Sequence, residues 1–460
     1  MNAETSPTSN DHPGDPESIR VVPPSPAWQF RQSALSPAQV RFREQLGLDP
    51  ARAVVMSGHQ AEVWHPGIAA KWFAMRAVAQ ATGAQAVWVV VDQDANDPTR
   101  IAYPTADLRR RTLGAASHTR PTGTQPPHPP PGMPDDCAEP AREGLSRLLA
   151  ALASHTGAGT LAQQHTLAVR DLLGPLADGV TTIYATDLAR TDLFRGFADS
   201  LRSEKAITDA YNRSIAATGR AGGTRPLGED PERGRELPLW RLHPSGARLA
   251  VFSHDPPAVL APKALLLTAL YRIAGCDLFI HGLGGGVYDR VTDHWLALLR
   301  SQGSLSALVG ASPARAAPTC VVTATRFLPL ASAPLPTPEA IAYTAWLAHR
   351  ARFDPLVVGD RAGAAAKAVL LHAVQTAPSR EARLHAYREL HAALDAHRVA
   401  HAESITHLDA LAATARTARG AAAVRFDRTW PFPLYGSGAI HALAEEVGAR
   451  ARLQLLPPAR

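Results

Sequence analysis

Short apolar runs and helical periodicity alternate in the first quarter of the chain. Residues 53–56 form a strand-sized apolar run, and a helix is expected to follow from near Pro66, with Gly83 just beyond its end. Residues 87–91 are apolar at every position, which is typical of a parallel strand covered on both faces. The pattern predicts a βαβ unit, with residues 57–60 as the polar turn after its first strand.

A second stretch repeats this order of elements. Residues 249–252 read as a strand, 262–273 as a helix, and 277–281 as a buried strand that runs into a glycine-rich turn. Between the two stretches, the pattern predicts helices at residues 141–153, 161–173 and 187–217 and a strand at residues 180–185. The sequence therefore predicts a soluble α/β protein with a Rossmann-like parallel sheet core that is split by an insertion.

Composition divides the chain further. The N-terminal residues are rich in Ser, Pro and Asp and have little to bury, so we expect regular structure to begin near Ala51. The predicted segments are a disordered or extended arm (1–35), the first half of the core (36–104), an inserted connecting region (105–245), the second half of the core (246–330) and a mainly helical C-terminal region (331–460).

The C-terminal region has the periodicity of helices. Thr337 and Pro338 supply a cap and a first-turn proline for a helix that runs to about Arg352. A long helix is predicted over residues 380–419, ended by Gly420. Its apolar positions recur at steps of three and four: Leu384, Tyr387, Leu390, Leu394, Ile405, Leu408, Ala412 and Ala415. This spacing predicts a helical coiled-coil arm, either an antiparallel arm or a contact in a homodimer.

Charge and cysteine content exclude several classes of protein. The net charge is only +6 over 460 residues, and the basic residues are not grouped as nucleic-acid binding requires. We find no secretory signal and no apolar run that could span a membrane, so we expect a cytoplasmic location. Cys137, Cys276 and Cys320 are too far apart for a disulfide framework or a zinc pattern. No metal ligands are assigned.

Polar residues follow the first predicted strand. In doubly wound sheets, ligands bind outside the carboxyl ends of the strands. Gly58 would let the chain turn tightly, and His59 and Gln60 would then project into the crevice, while His65 and Gly67 open the next helix. The alternative is that His59 only caps the strand through a hydrogen bond with the backbone.

Three carboxylates follow the most apolar strand. Asp92, Asp94 and Asp97 lie within six residues, and such a group is costly to hold together unless it meets a cation, an amine or a metal. The alternative is an aspartate-rich turn whose side chains cap a helix. The spacing does not fit a calcium loop of the EF-hand type.

A glycine segment follows the strand at 277–281 and leads into a helix. Glycines at such a position let backbone amides approach a ligand closely, although the segment has neither the dinucleotide fingerprint nor a Walker loop. Lys263, at the start of the preceding helix, would either bind an anion or be solvated. The segment and the helix after it contribute six candidate residues: His281, Gly282, Gly284, Gly285, Tyr288 and Asp289.

These residues carry a resemblance to a known family. Residues 58–67, Lys71 and residues 87–94 resemble the core of the bacillithiol biosynthesis enzymes that add cysteine to glucosaminyl-malate. That family has a Gly-Gln-Gln turn, a nearby Gly-Pro, a lysine on the next helix and an apolar strand that ends in Asp-His-Asp. In this chain His59 replaces the first glutamine, Pro66 and Gly67 reverse the Gly-Pro order, and Lys71 comes two residues early.

The resemblance implies a fold and a reaction. The fold is a Rossmann-like core similar to class I aminoacyl-tRNA synthetases, with a coiled-coil arm. The reaction is that of a ligase that joins an amino acid, such as cysteine, to the amine of a small sugar-containing acceptor, with ATP and magnesium. A non-catalytic protein that binds a nucleotide or a sugar conjugate is the alternative.

The resemblance also implies roles for individual residues. The Gly58 turn and Lys71 would hold an anionic group of the donor or the nucleotide. Asp92 and Asp94 would bind the incoming ammonium group or a magnesium ion, and one of them would accept a proton. His59 or His65 would neutralise charge on the group that is transferred.

Overall fold

The computed structural model describes residues 18–22, 28–31, 34–114, 120–243, 247–309, 315–330 and 337–455. The chain divides into two compact units. We call Pro329–Asp427, together with Asp107–Arg109, the helical unit, and the rest of the described chain the sheet unit.

The strands in chain order are β1 (Ser18–Val22), β2 (Val54–Gln60), β3 (Gln85–Val91), β4 (Ile101–Pro104), β5 (Arg110–Leu113), β6 (Val180–Tyr184), β7 (Glu229–Asp230), β8 (Gly234–Leu242), β9 (Arg248–Phe252), β10 (Leu260–Pro262), β11 (Leu278–His281) and β12 (Thr319–Thr325). The helices are α1 (Pro37–Gln45), α2 (Pro66–Thr82), α3 (Glu139–Ser154), α4 (Leu161–Leu173), α5 (Asp192–Ser203), α6 (Lys205–Ala217), α7 (Ala264–Leu270), α8 (Leu283–Ser301), α9 (Ser304–Val309), α10 (Pro338–Ala351), α11 (Arg361–Thr376), α12 (Arg380–Ala400), α13 (Ala402–Arg425) and α14 (Ser437–Leu453).

A six-stranded sheet lies at the centre of the sheet unit, in the order β1-β12-β11-β2-β3-β6. All neighbours are parallel except β1, which pairs antiparallel with β12. The first parallel strand, β2, is central, with β3 and β6 on one side and β11 and β12 on the other. The strand order therefore reverses between β2 and β11, and such a reversal opens a crevice at the carboxyl ends of the strands.

Both faces of this sheet are covered, as the unbroken apolar run at residues 87–91 predicts. Val87 and Val89 of β3 pack into a core layer with α5 to α8. Trp88 and Val90 point to the opposite layer, with α2 and α14. The predicted punctuation of α2 is also confirmed: Pro66 is its first residue, and Gly83 ends it with a φ of 71°, the left-handed conformation that favours glycine.

Regular structure begins earlier than the sequence predicted. β1 lies within the predicted arm and forms the antiparallel edge of the sheet, and α1 also precedes Ala51. Residues 1–17, 23–27 and 32–33 of that arm lie outside the described part of the chain. The predicted turn at residues 57–60 is wrong as well. β2 continues to Gln60 because its backbone pairs with β3 and the Ser57 hydroxyl donates to the carbonyl of Ile280 at 2.7 Å.

The predicted insertion also contributes to the sheet. β6 lies within residues 105–245 and pairs with β3 at the edge. Conversely, β9 was expected to begin a second βαβ unit, but it pairs antiparallel with β8 in a separate small sheet. The helix predicted over 187–217 is broken into a 3-10 turn, α5 and α6.

In the helical unit, α10 packs against α13 and α11 packs against α12. The cap of α10 is as predicted, since the Thr337 side chain accepts from the Ala340 amide. The long helix predicted over 380–419 is instead two helices that meet at His401, and α13 passes through Gly420 to Arg425. Leu384 and Tyr387 are exposed, so the predicted seam does not extend over the start of α12. No helix among the described residues is long and apolar enough to cross a membrane.

Candidate functional site

A cavity of about 610 Å³ opens where β2 and β11 end side by side. This volume is in the range of small-molecule sites, about 300–1,000 Å³. The cavity brings together ten of the sixteen candidate residues that the sequence analysis singled out: Gly58, His59, Gln60, Lys71, Asp94, His281, Gly282, Gly284, Gly285 and Tyr288.

The glycine segment forms the start of α8 and one wall of the cavity. Gly282 is the residue before the helix, no side chain caps it, and the first backbone hydrogen bond runs from the Gly286 amide to the Gly282 carbonyl at 3.0 Å. The amides of residues 283–285 therefore have no acceptor within the helix. Because these residues line the cavity, their N–H groups and the helix dipole favour an anion there.

The glycines of this segment serve different purposes. Gly284 lines the cavity, and a Cβ on it would meet nothing within 4 Å. A Cβ on Gly285 would lie 2.7 Å from Nδ1 of His281, closer than real Cβ contacts. Gly285 is thus required for the packing of α8 against the end of β11.

Lys71 lies beside the start of α8. Its side chain is only 4% exposed, and its ammonium donates to the Gly58 carbonyl at 2.5 Å. Burial lowers the pKa of Lys71 to about 7, although the nearby Glu62 acts in the opposite direction. Its Cδ would lie 3.6 Å from a Cβ on Gly282. An anion at this place would favour the protonated form of Lys71.

Asp94 supplies negative charge in the same cavity. Its carboxylate accepts from the Gln60 amide at 3.1 Å and from the Arg248 guanidinium at 2.5 Å. Arg248 also stacks on the ring of Trp240 at 4.5 Å. Sequence reasoning missed Arg248, because it lies on β9, more than 150 residues after Asp94, and belongs to no motif.

Asp92 does not join Asp94 in the cavity. Its Oδ1 accepts from the Thr186 amide at 3.0 Å, and its Oδ2 accepts from the Thr186 hydroxyl at 2.5 Å. Burial raises the pKa of Asp92 to about 6, although the Thr186 hydrogen bonds lower it. Asp92 therefore ties the end of β3 to the turn after β6, and the predicted carboxylate pair around one ligand is not formed.

The two histidines near α2 also have different positions. His59 lines the cavity, and its Nε2 is 2.9 Å from the Glu62 carboxylate, while burial lowers its pKa. His65 caps α2: its Nδ1 accepts from the Gly67 amide at 3.0 Å, and burial lowers its pKa to about 4. A Cβ on Gly67 would lie 2.9 Å from the Ala324 carbonyl oxygen. His65 and Gly67 thus anchor α2 and do not line the cavity.

Three other candidates are engaged in structural contacts. The Asp97 carboxylate accepts from the amide and the hydroxyl of Thr99, at 3.1 and 2.6 Å, so the alternative of an aspartate turn applies to it. Lys263 forms an ion pair with Glu236 at 2.5 Å. Asp289 accepts from Arg272 at 2.9 Å and is 3.0 Å from Nε2 of His281, so it orients a cavity residue without lining the cavity itself.

Two further residues of the cavity were not singled out individually, although Gln93 lies between the candidates Asp92 and Asp94. Tyr271 and Gln93 both line it, and the Tyr271 hydroxyl and the Gln93 Oε1 are buried without a hydrogen-bond partner among the described residues. The Gln93 side-chain amide donates to the Pro262 carbonyl, which fixes its orientation. Unpaired buried polar atoms are costly, so both residues are suited to meet polar atoms of a ligand. Tyr271 lies in a π-helical turn after α7 that no sequence pattern indicates.

Comparison of the chain with models of known protein families gives no match, and comparison with curated proteins gives none either.

Proposed function

We propose that the cavity is the active site of a ligase that joins an amino acid, with cysteine as the first candidate, to the amine of a small sugar-containing acceptor. The observation that carries the proposal is the arrangement of charge in one cavity. The start of α8 and Lys71 favour an anion, and Asp94 favours a cation. A carboxylate or phosphate donor and an ammonium acceptor are the two kinds of group that such a reaction must bring together.

The sheet topology supports a Rossmann-like class for this core. Numbered by their order in the chain, the parallel strands lie in the order 3-2-1-4-5, and the cavity is at the point where that order reverses. Nucleotides bind at this point in doubly wound folds. The class I synthetase-like assignment and the coiled-coil arm belong to the same proposal.

In the proposed reaction, the chain's own residues bind and orient the two substrates. The amides at the start of α8 and the protonated Lys71 would hold the phosphates of ATP or the donor carboxylate. ATP, when bound, would supply the phosphoryl or adenylyl group that activates this carboxylate and departs as phosphate or AMP when the amide bond forms. Asp94 would exchange Arg248 for the acceptor ammonium group and take up its proton as the amine attacks. Burial raises the pKa of Tyr288 to about 12, so its hydroxyl stays protonated and can donate to the developing negative charge.

Magnesium fits the described residues less well than ATP does. Among the described residues that line the cavity, Asp94 alone carries a carboxylate, and its Oδ1 is 2.5 Å from Arg248. Magnesium is usually bound by one or two carboxylates together with substrate phosphates. In this proposal any magnesium ion is brought by ATP, and no step depends on it.

A specific observation favours a second candidate, a binding protein that does not catalyse. All three residues that the family resemblance assigns to catalysis are already engaged: His59 by Glu62, Asp92 by Thr186 and Asp94 by Arg248. In this case the cavity would bind a nucleotide or a sugar conjugate without turnover.

The two candidates are separated by binding and turnover measured on the same protein. Thermal shift with ATP, ADP, cysteine and glucosaminyl-malate shows which ligands bind the folded state. Mass spectrometry of the complete mixture then detects the amide product. We expect stabilisation by ATP together with cysteine, and formation of the conjugate. Stabilisation by the sugar conjugate alone, with no product, would favour the binding protein, and no stabilisation by any of the four would contradict both.

A further inference from the structure

We propose that the helical unit binds a first-row divalent cation, such as Zn²⁺, through Asp360, His397 and His401. Each of these residues offers one ligand atom, and these atoms all lie within 4.8 Å of one another. Sequence reasoning assigned no metal ligand, because for metals it considered only the spacing of the cysteines and of the aspartates. The signal it passed over is the spacing of His397 and His401, four residues apart, which places both on one face at the end of α12.

One hydrogen bond orients the His397 ring in the way that is typical of metal-binding histidines. It is only 7% exposed, and its Nε2–H donates to the Ala351 carbonyl at 2.8 Å. This hydrogen bond fixes the tautomer and leaves Nδ1 with a free lone pair. Nδ1 is buried and has no hydrogen-bond partner among the described residues. Metal-binding histidines typically donate their other ring N–H to a carbonyl or carboxylate in this way, and a bound cation would satisfy the free nitrogen.

Asp360 and His401 complete the set. The Asp360 Oδ1 accepts from the Gly363 amide at 2.8 Å and caps α11, whereas its Oδ2 lies 3.2 Å from Nε2 of His401. Zinc bonds to nitrogen and oxygen are about 2.0–2.2 Å long, which places two tetrahedral ligands roughly 3.4 Å apart. The Asp360–His401 pair is therefore already near the separation that a shared ion requires, and a ring nitrogen of His397 lies within 4.8 Å of both ligand atoms.

The set has the composition of an open site. Three protein ligands leave a further position for water or another small ligand, as in catalytic zinc sites. A cavity of about 300 Å³ is lined by all three residues, so there is room for that ligand. Lys367 also lines this cavity, but its ammonium donates to the Phe353 carbonyl at 2.6 Å. Imidazole with one carboxylate suits zinc, cobalt or nickel, whereas magnesium and calcium prefer oxygen ligands alone.

The test is metal binding to the full-length chain without a histidine tag. After dialysis against a chelator, zinc binding is measured by calorimetry, and cobalt binding by the visible absorption of a tetrahedral site. Wild type should bind one ion, and Asp360→Asn and His401→Gln should each weaken binding at least about tenfold. Asparagine still caps a helix, and circular dichroism checks that each variant keeps its helices.

The matched control lies on the same helix. His385 and Glu389 are also four residues apart, with 3.5 Å between Nδ1 and Oε2, but they are 75% and 56% exposed and belong to no three-ligand group among the described residues. His385→Gln should leave zinc affinity unchanged. The proposal is overturned if wild type binds no zinc or cobalt, if magnesium binds equally well, or if His385→Gln weakens binding as much as folded His401→Gln does.

Discussion

Lys71 holds an ammonium group where burial disfavours its charge. Its pKa is about 7 in the folded protein, compared with about 10.4 in an unfolded chain. Between these values the unfolded chain binds a proton that the native state does not, so this residue makes stability rise with pH across that window. Below pH 7 Lys71 is protonated in both the native and the unfolded state. The full free-energy cost of burying its charge then destabilises the native state.

A Lys71→Met variant tests this directly. We expect the free energy of unfolding of the variant to exceed that of wild type by the largest margin near pH 6.5. That advantage should shrink by up to about 1.4 kcal/mol per pH unit as the pH rises towards 10. Urea unfolding at pH 6.5, 8 and 9.5 measures the difference. A difference that stays constant over this range would show that Lys71 does not change its protonation there.

At the residue scale, sequence position indicated which segments meet but not what each side chain contacts. Gly58, Gln60 and Asp94 reach the cavity because they lie at or just beyond the carboxyl ends of adjacent parallel strands, which a βαβ pattern predicts. Asp92 has the same sequence signal, yet it is bound by Thr186. That partner lies 94 residues later, and no local pattern contains it.

At the scale of elements, the first turn of α8 offers a matched pair of substitutions. Gly284→Ala adds a methyl group in open space, whereas Gly285→Ala places one 2.7 Å from Nδ1 of His281. Alanine is favoured over glycine in helices by about 0.5–1 kcal/mol. We expect Gly284→Ala to keep or raise stability and Gly285→Ala to lower it by about 1–3 kcal/mol. Chemical denaturation measures both.

The same pair also tests the anion site at this turn. Because Gly284 lines the cavity, we expect Gly284→Ala to weaken ATP binding in calorimetry while the protein stays folded. Equal stabilities for the two variants would contradict the packing at Gly285. Unchanged ATP affinity in Gly284→Ala would place the nucleotide elsewhere.

Elements with local signals were predicted, but the sheet partners of strands that pair with distant segments were not. β3 contains a continuous apolar run, and α2 has a proline at its start and a glycine just after its end. Both signals lie within the segments themselves. β6 and β9 have similar local patterns, but one joins the main sheet and the other a small antiparallel sheet, because their neighbours come from other parts of the chain. The break between α12 and α13 at His401 interrupts an apolar periodicity that continues across it, so the spacing alone indicated one helix.

At the scale of the whole molecule, the helical unit is the proposed site of homodimer contact. It exposes several large apolar side chains, and Tyr343 and Trp346 on α10 stack with ring centroids 5.8 Å apart. Exposed apolar groups of this kind often mark protein interfaces. We expect wild type to be a dimer in sedimentation equilibrium and Trp346→Glu to weaken it at least tenfold. A monomer at all concentrations tested would contradict the homodimer.

We propose that ligation takes place in the cavity between β2 and β11, with Asp94 as the residue that receives the acceptor. The most direct test is the rate of amide formation from ATP, cysteine and glucosaminyl-malate, measured by mass spectrometry for wild type, Asp94→Asn and Asp92→Asn. Asp92 is the matched control, because it is two residues away and its carboxylate is bound by Thr186 outside the cavity. We predict product from wild type and from Asp92→Asn, and a loss of at least about a hundredfold in a folded Asp94→Asn. Wild-type turnover by Asp94→Asn, or no product from wild type, would contradict the claim.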